Sequence, residues 1–217
     1  MPHPLDDGSS EHQAESTLRR KSISAVDIGE RLYHWRDYTA VPIVFILLFV
    51  AEPKVGVAVI GTLMIVGGLI LRVYTRAFML SAEFDGDHMK FESENFADFF
   101  FTDGPFGVVR NPLYFGYFLM VLGILIFSGV IWFSILGIAF FIFQFYHIVK
   151  YEEEILREKF GDEYKMYTES VPSWIPLRVP QSSDFPMPKS IWPAIQKEKK
   201  VFGLMGVIIF ILILLAH

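Results

Sequence analysis

The sequence predicts an all-α fold: a polytopic integral membrane protein with about five transmembrane helices plus a cytoplasmic amphipathic helix. Three observations lead there. Of its 217 residues, 53% are hydrophobic and 16% aromatic, with a mean hydropathy of +0.40, which is more apolar than an ordinary soluble domain. The apolar residues lie in blocks separated by charged segments. The basic residues are also lopsided: Arg19, Arg20, Lys21, Arg31 and Arg36 precede the first block, the next loop has only Lys54, and the Ser128–Gly129 turn has none. By the positive-inside rule the N-terminus is cytoplasmic.

The elements follow in order. Residues 1–22 are polar and lack the apolar core of a signal peptide, so they read as a disordered cytoplasmic tail. The aromatic and basic run RLYHWRDY suits an interfacial approach to the first span, Tyr38 to Ala51. After only EPK comes a second span, Val55 to Leu71, and so short a link predicts a tight hairpin. Residues 23–72 thus form an N-terminal membrane hairpin with its flank. Leu113 to Phe127 and Val130 to Val149 predict a second hairpin, whose first helix is short for a bilayer core of ~30 Å. A last span runs from Val201 to Ala216. On this topology both long polar segments, Val73 to Pro112 and Lys150 to Lys200, face the cytoplasm. The proline-rich stretch from Val171 to Pro193 cannot be one continuous helix and is expected along the membrane surface, so residues 178–217 read as a surface segment and a final span.

A formal charge of −5 gives no basic stripe for nucleic acid, so none is expected as a partner. The absence of cysteine excludes disulfides and thiolate chemistry. His88, in the acidic loop EFDGDHMKFESEN, reads as solvated, and that loop lacks a metal-ligand spacing.

Two stretches carry the candidate chemistry. One is GPFGVVRNPLYFGYFLMVLG, Gly104 to Gly123, which places Arg110 and Asn111 at the edge of an apolar run. The other continues helically out of the fourth span, where Ile155, Leu156, Phe160, Tyr164 and Tyr167 recur at spacings of one, four, four and three. That helix has one greasy and one charged side. Taken alone, its Glu152, Glu153 and Glu154 read as a solvated face.

Together the stretches resemble the superfamily of isoprenylcysteine carboxyl methyltransferases and phospholipid methyltransferases. The matching residues are Gly104, Pro105, Val109, Arg110, Pro112, Tyr114 and Gly116, then Glu152, Glu153, Leu156, Phe160, Gly161, Glu163, Tyr164, Tyr167, Val171, Ile175 and Pro176. Upstream, GLILRVYTRAF looks like the family's second-span ending, with Gly68 and Arg72. Phe106 stands where the family usually has tyrosine, and Asn111 where it usually has histidine.

The resemblance implies a catalytic region over residues 73–177 that binds S-adenosylmethionine between the hairpin's cytoplasmic end and the glutamate-bearing helix. Gly104, Gly107 and Val108 would then carry the approach of backbone to the ligand, with Pro112 leaving amide donors free nearby. Asn111 would serve adenine or ribose, Glu152 or Glu153 the ammonium, and Tyr114 the sulfonium. Gln144 and His147 would line the adenine pocket, or else bond neighbouring helices; Gly107 and Gly116 alternatively permit close helix packing. Arg110 is expected to pair with an anionic headgroup or substrate carboxylate, or to snorkel, and Arg110 and Glu153 are the candidate catalytic residues. The implied partner is a membrane lipid or lipidated substrate, with isoprenylcysteine carboxylate O-methylation ahead of phospholipid amine N-methylation. A nicotinamide-dependent sterol-type reductase and a non-catalytic membrane scaffold are the other readings. The last span is expected to pack on the hairpins, or to make a homodimer through Gly203 and Gly206.

Overall fold

The computed structural model of the protein describes residues 26–36, 38–85 and 101–215. The tail at residues 1–22, and His88 with most of its acidic loop, lie outside them. The described residues contain helices and no strand. Helix α1 covers 26–35. It is followed by α2 (Ala40–Val50), α3 (Val55–Asp85), a short 3-10 turn (Gly104–Gly107), α4 (Pro112–Phe127), α5 (Ile131–Ser170), a second 3-10 turn (Ser182–Asp184) and α6 (Trp192–Leu215).

Among the described residues two helices are long and apolar enough to cross a membrane, α3 through Val55–Ser81 and α5. The expected number was about five. At 1.5 Å per residue the 11 residues of α2 reach only ~16 Å and the 16 of α4 ~24 Å, and α6 begins with the charged run Lys197 to Lys200. Large apolar side chains nonetheless stand exposed along outer faces, among them Val59 and Leu63 of α3, Ile135 and Ile142 of α5, and Phe210 of α6. Such faces suit lipid rather than water.

The pairing of helices departs from expectation. The short link EPK does not produce a hairpin of α2 on α3; α3 packs most extensively along α4, while α2 lies against α6. The reason is a glycine seam. Gly61 faces Gly123 and Gly68 faces Gly116, so that a Cβ at Gly61 or Gly68 would come within 2.5 Å of the opposite glycine's carbonyl oxygen. Small residues at such a seam let two helices approach where bulkier ones would hold them apart. Replacing Gly68 with valine is expected to cost about 1–3 kcal/mol through overpacking, read as a lowered melting temperature in detergent. The second expected hairpin, α4 on α5, is present. The link after α2 docks on its turn, where the Glu52 amide donates to the Ser128 carbonyl at 2.7 Å.

Helix α5 continues past its apolar part as expected, with one interruption. Gly161 adopts φ 53° and ψ −125°, outside helical geometry, and beyond it Tyr164 and Tyr167 turn inward and are buried. Only glycine takes that backbone conformation without strain. A Gly161→Ala protein should therefore lose about 1–3 kcal/mol of stability, measurable by chemical unfolding. Residues 171–191 run without a long helix, as their prolines require. Helix α6 packs on α2, α3 and α4, burying Met205, Ile208 and Leu212. Gly203 and Gly206 face open space on its other side.

Candidate functional site

The two motif halves, 43 residues apart in sequence, are joined by one arginine. Just before α4, the Arg110 Nε and Nη2 donate to Glu153 Oε1 at 3.0 and 2.7 Å. Its Nη1 donates to the carbonyls of Thr168 and Val171 at 3.1 and 2.6 Å, and its backbone amide to that of Pro172 at 2.8 Å. A guanidinium has five donors in a planar fork. Here that fork clamps the end of α5 and the following segment onto the entrance of α4. Glu153 is 5% exposed, so the pair is a buried one and each charge depends on the other. Nearby, Asn111 Nδ2 donates to the carbonyl and hydroxyl of Ser173 at 3.2 and 3.0 Å. The Tyr167 hydroxyl donates to the Phe106 carbonyl at 2.8 Å, tying the 3-10 turn to α5. Gly104, at φ 59°, carries the chain past the ring of Phe78 with no room for a Cβ.

Glu152 has a different environment from its neighbour. One residue along a helix is a rotation of about 100°, which turns Glu152 away from Arg110 and toward α1 and Tyr114. The Tyr114 hydroxyl donates to Glu152 Oε1 at 2.5 Å. Glu152 lies beyond Val149, where the apolar part of α5 ends, and burial pushes its carboxyl up to about 7 against the opposing effects of the Tyr114 hydrogen bond and the Arg36 charge. It is a carboxylate that changes charge near neutrality.

The structure brings Arg110, Asn111, Pro112, Tyr114, Glu152 and Glu153 to one end of the α4–α5 hairpin, with Gly104, Gly107 and Val108 in the turn leading into it. It gives Gly116 a packing place against Gly68 and Arg72. Gln144 sits about two turns further into the apolar part, where it exchanges hydrogen bonds with the Thr39 hydroxyl at 2.8 and 3.1 Å. His147 lies between these levels, its Nδ1 buried and lacking a hydrogen-bond partner among the described residues.

Sequence reasoning missed three contributors. Tyr33 belongs to α1 and Arg36 follows directly on its end, a stretch that reads as an interfacial flank until it is seen folded against α5. Glu198 of α6, 2% exposed, takes Arg72 Nη2 at 2.8 Å and Arg76 Nη2 at 3.1 Å, while Arg72 Nη1 donates to the Leu113 carbonyl at 3.1 Å. The available signal was an acid in the run KEKK directly before an apolar span, opposite two arginines one helical turn apart in RVYTR.

Fold and site together define an all-helical protein with two membrane-capable helices and a charged, partly buried cluster at one end of the α4–α5 hairpin. Residues 57–163 match the model of the family described as phospholipid methyltransferase. A curated relative, the protein-S-isoprenylcysteine O-methyltransferase of Schizosaccharomyces pombe, is 34% identical over 113 residues. That alignment takes in 51% of this chain and 48% of the relative, so the chain spans about half the length of the protein it matches. No solved structure matches. Over about half of its length the chain is thus similar to the phospholipid methyltransferase family and to an isoprenylcysteine O-methyltransferase.

Proposed function

We propose that this protein transfers a methyl group from S-adenosylmethionine to a lipid or lipidated acceptor in the membrane, with O-methylation of an isoprenylcysteine carboxylate favoured over N-methylation of a phospholipid amine. The observation that carries this reading is the closure of the two motif halves into one cluster by the Arg110–Glu153 pair, in a chain whose relative is named for that O-methylation. The side-chain chemistry fits the donor. Glu152 is a carboxylate for an ammonium, Asn111 and the unpartnered His147 Nδ1 are polar groups for a nucleoside, and the turn Gly104–Gly107 with Val108 offers backbone. When bound, the donor supplies a methyl group already activated on a sulfonium.

The protein's part is then alignment and exclusion of water, effects that can supply ~7–11 kcal/mol. Arg110 and Glu153 fix the relative position of α4 and α5 at the site. A carboxylate acceptor needs no general base. A phospholipid amine must first lose a proton, and with Glu153 held by Arg110, Glu152 and His147 are the groups placed to take it. The apolar lining of a small cleft between α2, α4, α5 and α6, with Val44, Leu47, Val121, Phe140, Phe141 and Ile208 among its walls, is compatible with the edge of a lipid acceptor. Its Phe141 packs with Phe145 and Tyr114 in one aromatic cluster, which connects the cleft to Glu152. The basic flank carrying Arg31 and Arg36 lies at the same end as the cluster, which supports a cytoplasmic active site.

Calorimetric titration of S-adenosylmethionine and S-adenosylhomocysteine into detergent-purified protein tests the reading. Wild type is expected to bind both, Glu152→Gln and Asn111→Ala to weaken each at least tenfold with melting temperature retained. Because the Glu152 carboxyl ionises at about 7, affinity should rise between pH 6 and pH 8 as the carboxylate forms, and Glu152→Gln should flatten that rise. A folded wild-type protein that binds neither compound would leave the scaffold or nicotinamide reading in its place.

A further inference from the structure

The family match begins at residue 57, yet α1, which precedes it, is built into the site. Gly29 meets the His147 carbonyl and the Tyr151 Cβ so closely that no side chain would fit there. Three and four residues on, Leu32 and Tyr33 pack with Phe141, Phe145 and Ile148, in the cluster that includes Tyr114. The Tyr33 ring lies 5.9 Å from that of Tyr151. Just after the helix the chain is pinned again, by Thr39 on Gln144. Between these two anchors the guanidinium of Arg36 stands 4.0 Å over the Tyr33 ring, half-buried and within electrostatic reach of Glu152 and Tyr114. Arg36, hydrogen-bonded to Tyr33, and Glu152, hydrogen-bonded to Tyr114, thus come from two elements packed on one aromatic cluster, a cation and a carboxylate within electrostatic reach of each other. That is the chemistry of a site for a zwitterion, and the methyl donor ends in an α-amino acid.

We propose that α1 is a wall of the donor site, in which Arg36 receives the donor's α-carboxylate while Glu152 receives its ammonium. The proposal rests on the methyl-donor reading above. A guanidinium binds a carboxylate through two parallel hydrogen bonds where an ammonium acts as a point charge, so the role belongs to arginine specifically. It also assigns a binding function to a segment outside the matched family region, where the sequence shows only an interfacial flank.

The test compares two ligands in full-length, detergent-purified protein: S-adenosylhomocysteine, and decarboxylated S-adenosylmethionine, which keeps the nucleoside and the amine but lacks the carboxylate. Arg36→Gln is expected to weaken S-adenosylhomocysteine at least tenfold and to change the decarboxylated ligand less than twofold. Arg36→Lys should recover part of the loss. Arg31→Gln, exposed on the same helix, should change neither, and melting curves report whether each variant is folded. Equal weakening of both ligands by Arg36→Gln would make α1 a merely structural support and overturn the proposal, as would no change in either. Wild type that binds the two ligands equally well would overturn it too, since the carboxylate would then contribute nothing. Wild type that binds neither overturns the methyl-donor reading itself, and the assignment of Arg36 with it.

Discussion

Replacing Glu198 with alanine is expected to destabilise the protein by about 3–5 kcal/mol, the range for removing one partner of a buried ion pair. Glu198 is 2% exposed and receives Arg72 Nε at 3.0 Å and Nη2 at 2.8 Å, together with Arg76 Nε at 3.2 Å and Nη2 at 3.1 Å. Without it, two guanidinium groups would be left close together with side chains only 13% and 19% exposed. The damage should spread, because Arg72 also holds the Leu113 carbonyl at the start of α4 and its stem lies against Gly116. Equilibrium unfolding in detergent measures the loss. Glu198→Gln should lose less, since an amide oxygen still accepts. Converting Arg72, Arg76 and Glu198 together to apolar residues should recover stability, since a fully apolar replacement leaves no charge unpaired. A melting temperature unchanged in Glu198→Ala would mean that α6 is held by its apolar face of Met205, Ile208 and Leu212 alone.

The second large effect is expected at Arg110. Arg110→Met removes the charge that Glu153 needs and the donors to three carbonyl and carboxylate groups at once. A loss of about 3–5 kcal/mol is expected here as well, together with weakened binding of the proposed donor, since the α4 entrance and the 171–173 segment are then joined only by the backbone amide of residue 110 on Pro172 and by Asn111 on Ser173. Arg110→Lys should rescue little: one compact ammonium cannot span Glu153, Thr168 and Val171 in the fork geometry the guanidinium provides. The contrast with Glu152→Gln is the informative part. That change should weaken the donor while leaving stability nearly intact, because Glu152 is half-buried and not ion-paired with Arg110. If Arg110→Met kept full stability and lost only binding, Arg110 would be contacting ligand rather than holding helices together.

Much of this was legible in the chain. The apolar runs located the start of α3 at Val55, the start of α4 to within one residue and the continuous passage of α5 out of its span into the glutamate segment, while α3 runs on past Leu71 to Asp85 and α6 starts at Trp192, ahead of Val201. The prolines between Val171 and Pro193 forbade a continuous helix there, and only the short 3-10 turn Ser182–Asp184 is present before Trp192. The motif residues Arg110 and Glu153 were singled out, though with a lipid headgroup or substrate as the expected partner of the arginine; its partner is the glutamate. The choice between Glu152 and Glu153 stayed open, because adjacent residues on a helix differ only in which neighbour they face, and the neighbours come from α1, α4 and the 171–173 segment.

What the sequence determined by itself is what depends on a residue and its near neighbours: helical content, the membrane character of the runs, the break at the prolines and the residue types gathered into two motifs. Tertiary structure alone decided that α3 would choose α4 over α2, that Glu198 would reach back 126 residues to Arg72, and that α1 would fold against α5 with Tyr33 beside Tyr151. Those outcomes turn on shape and charge matching between surfaces far apart in the chain. Gly61 against Gly123 permits an approach of α3 to α4 that outweighs the short link between α2 and α3, and a buried arginine pairs with whichever carboxylate the packing delivers. Local pattern carries no information about which distant face will be there.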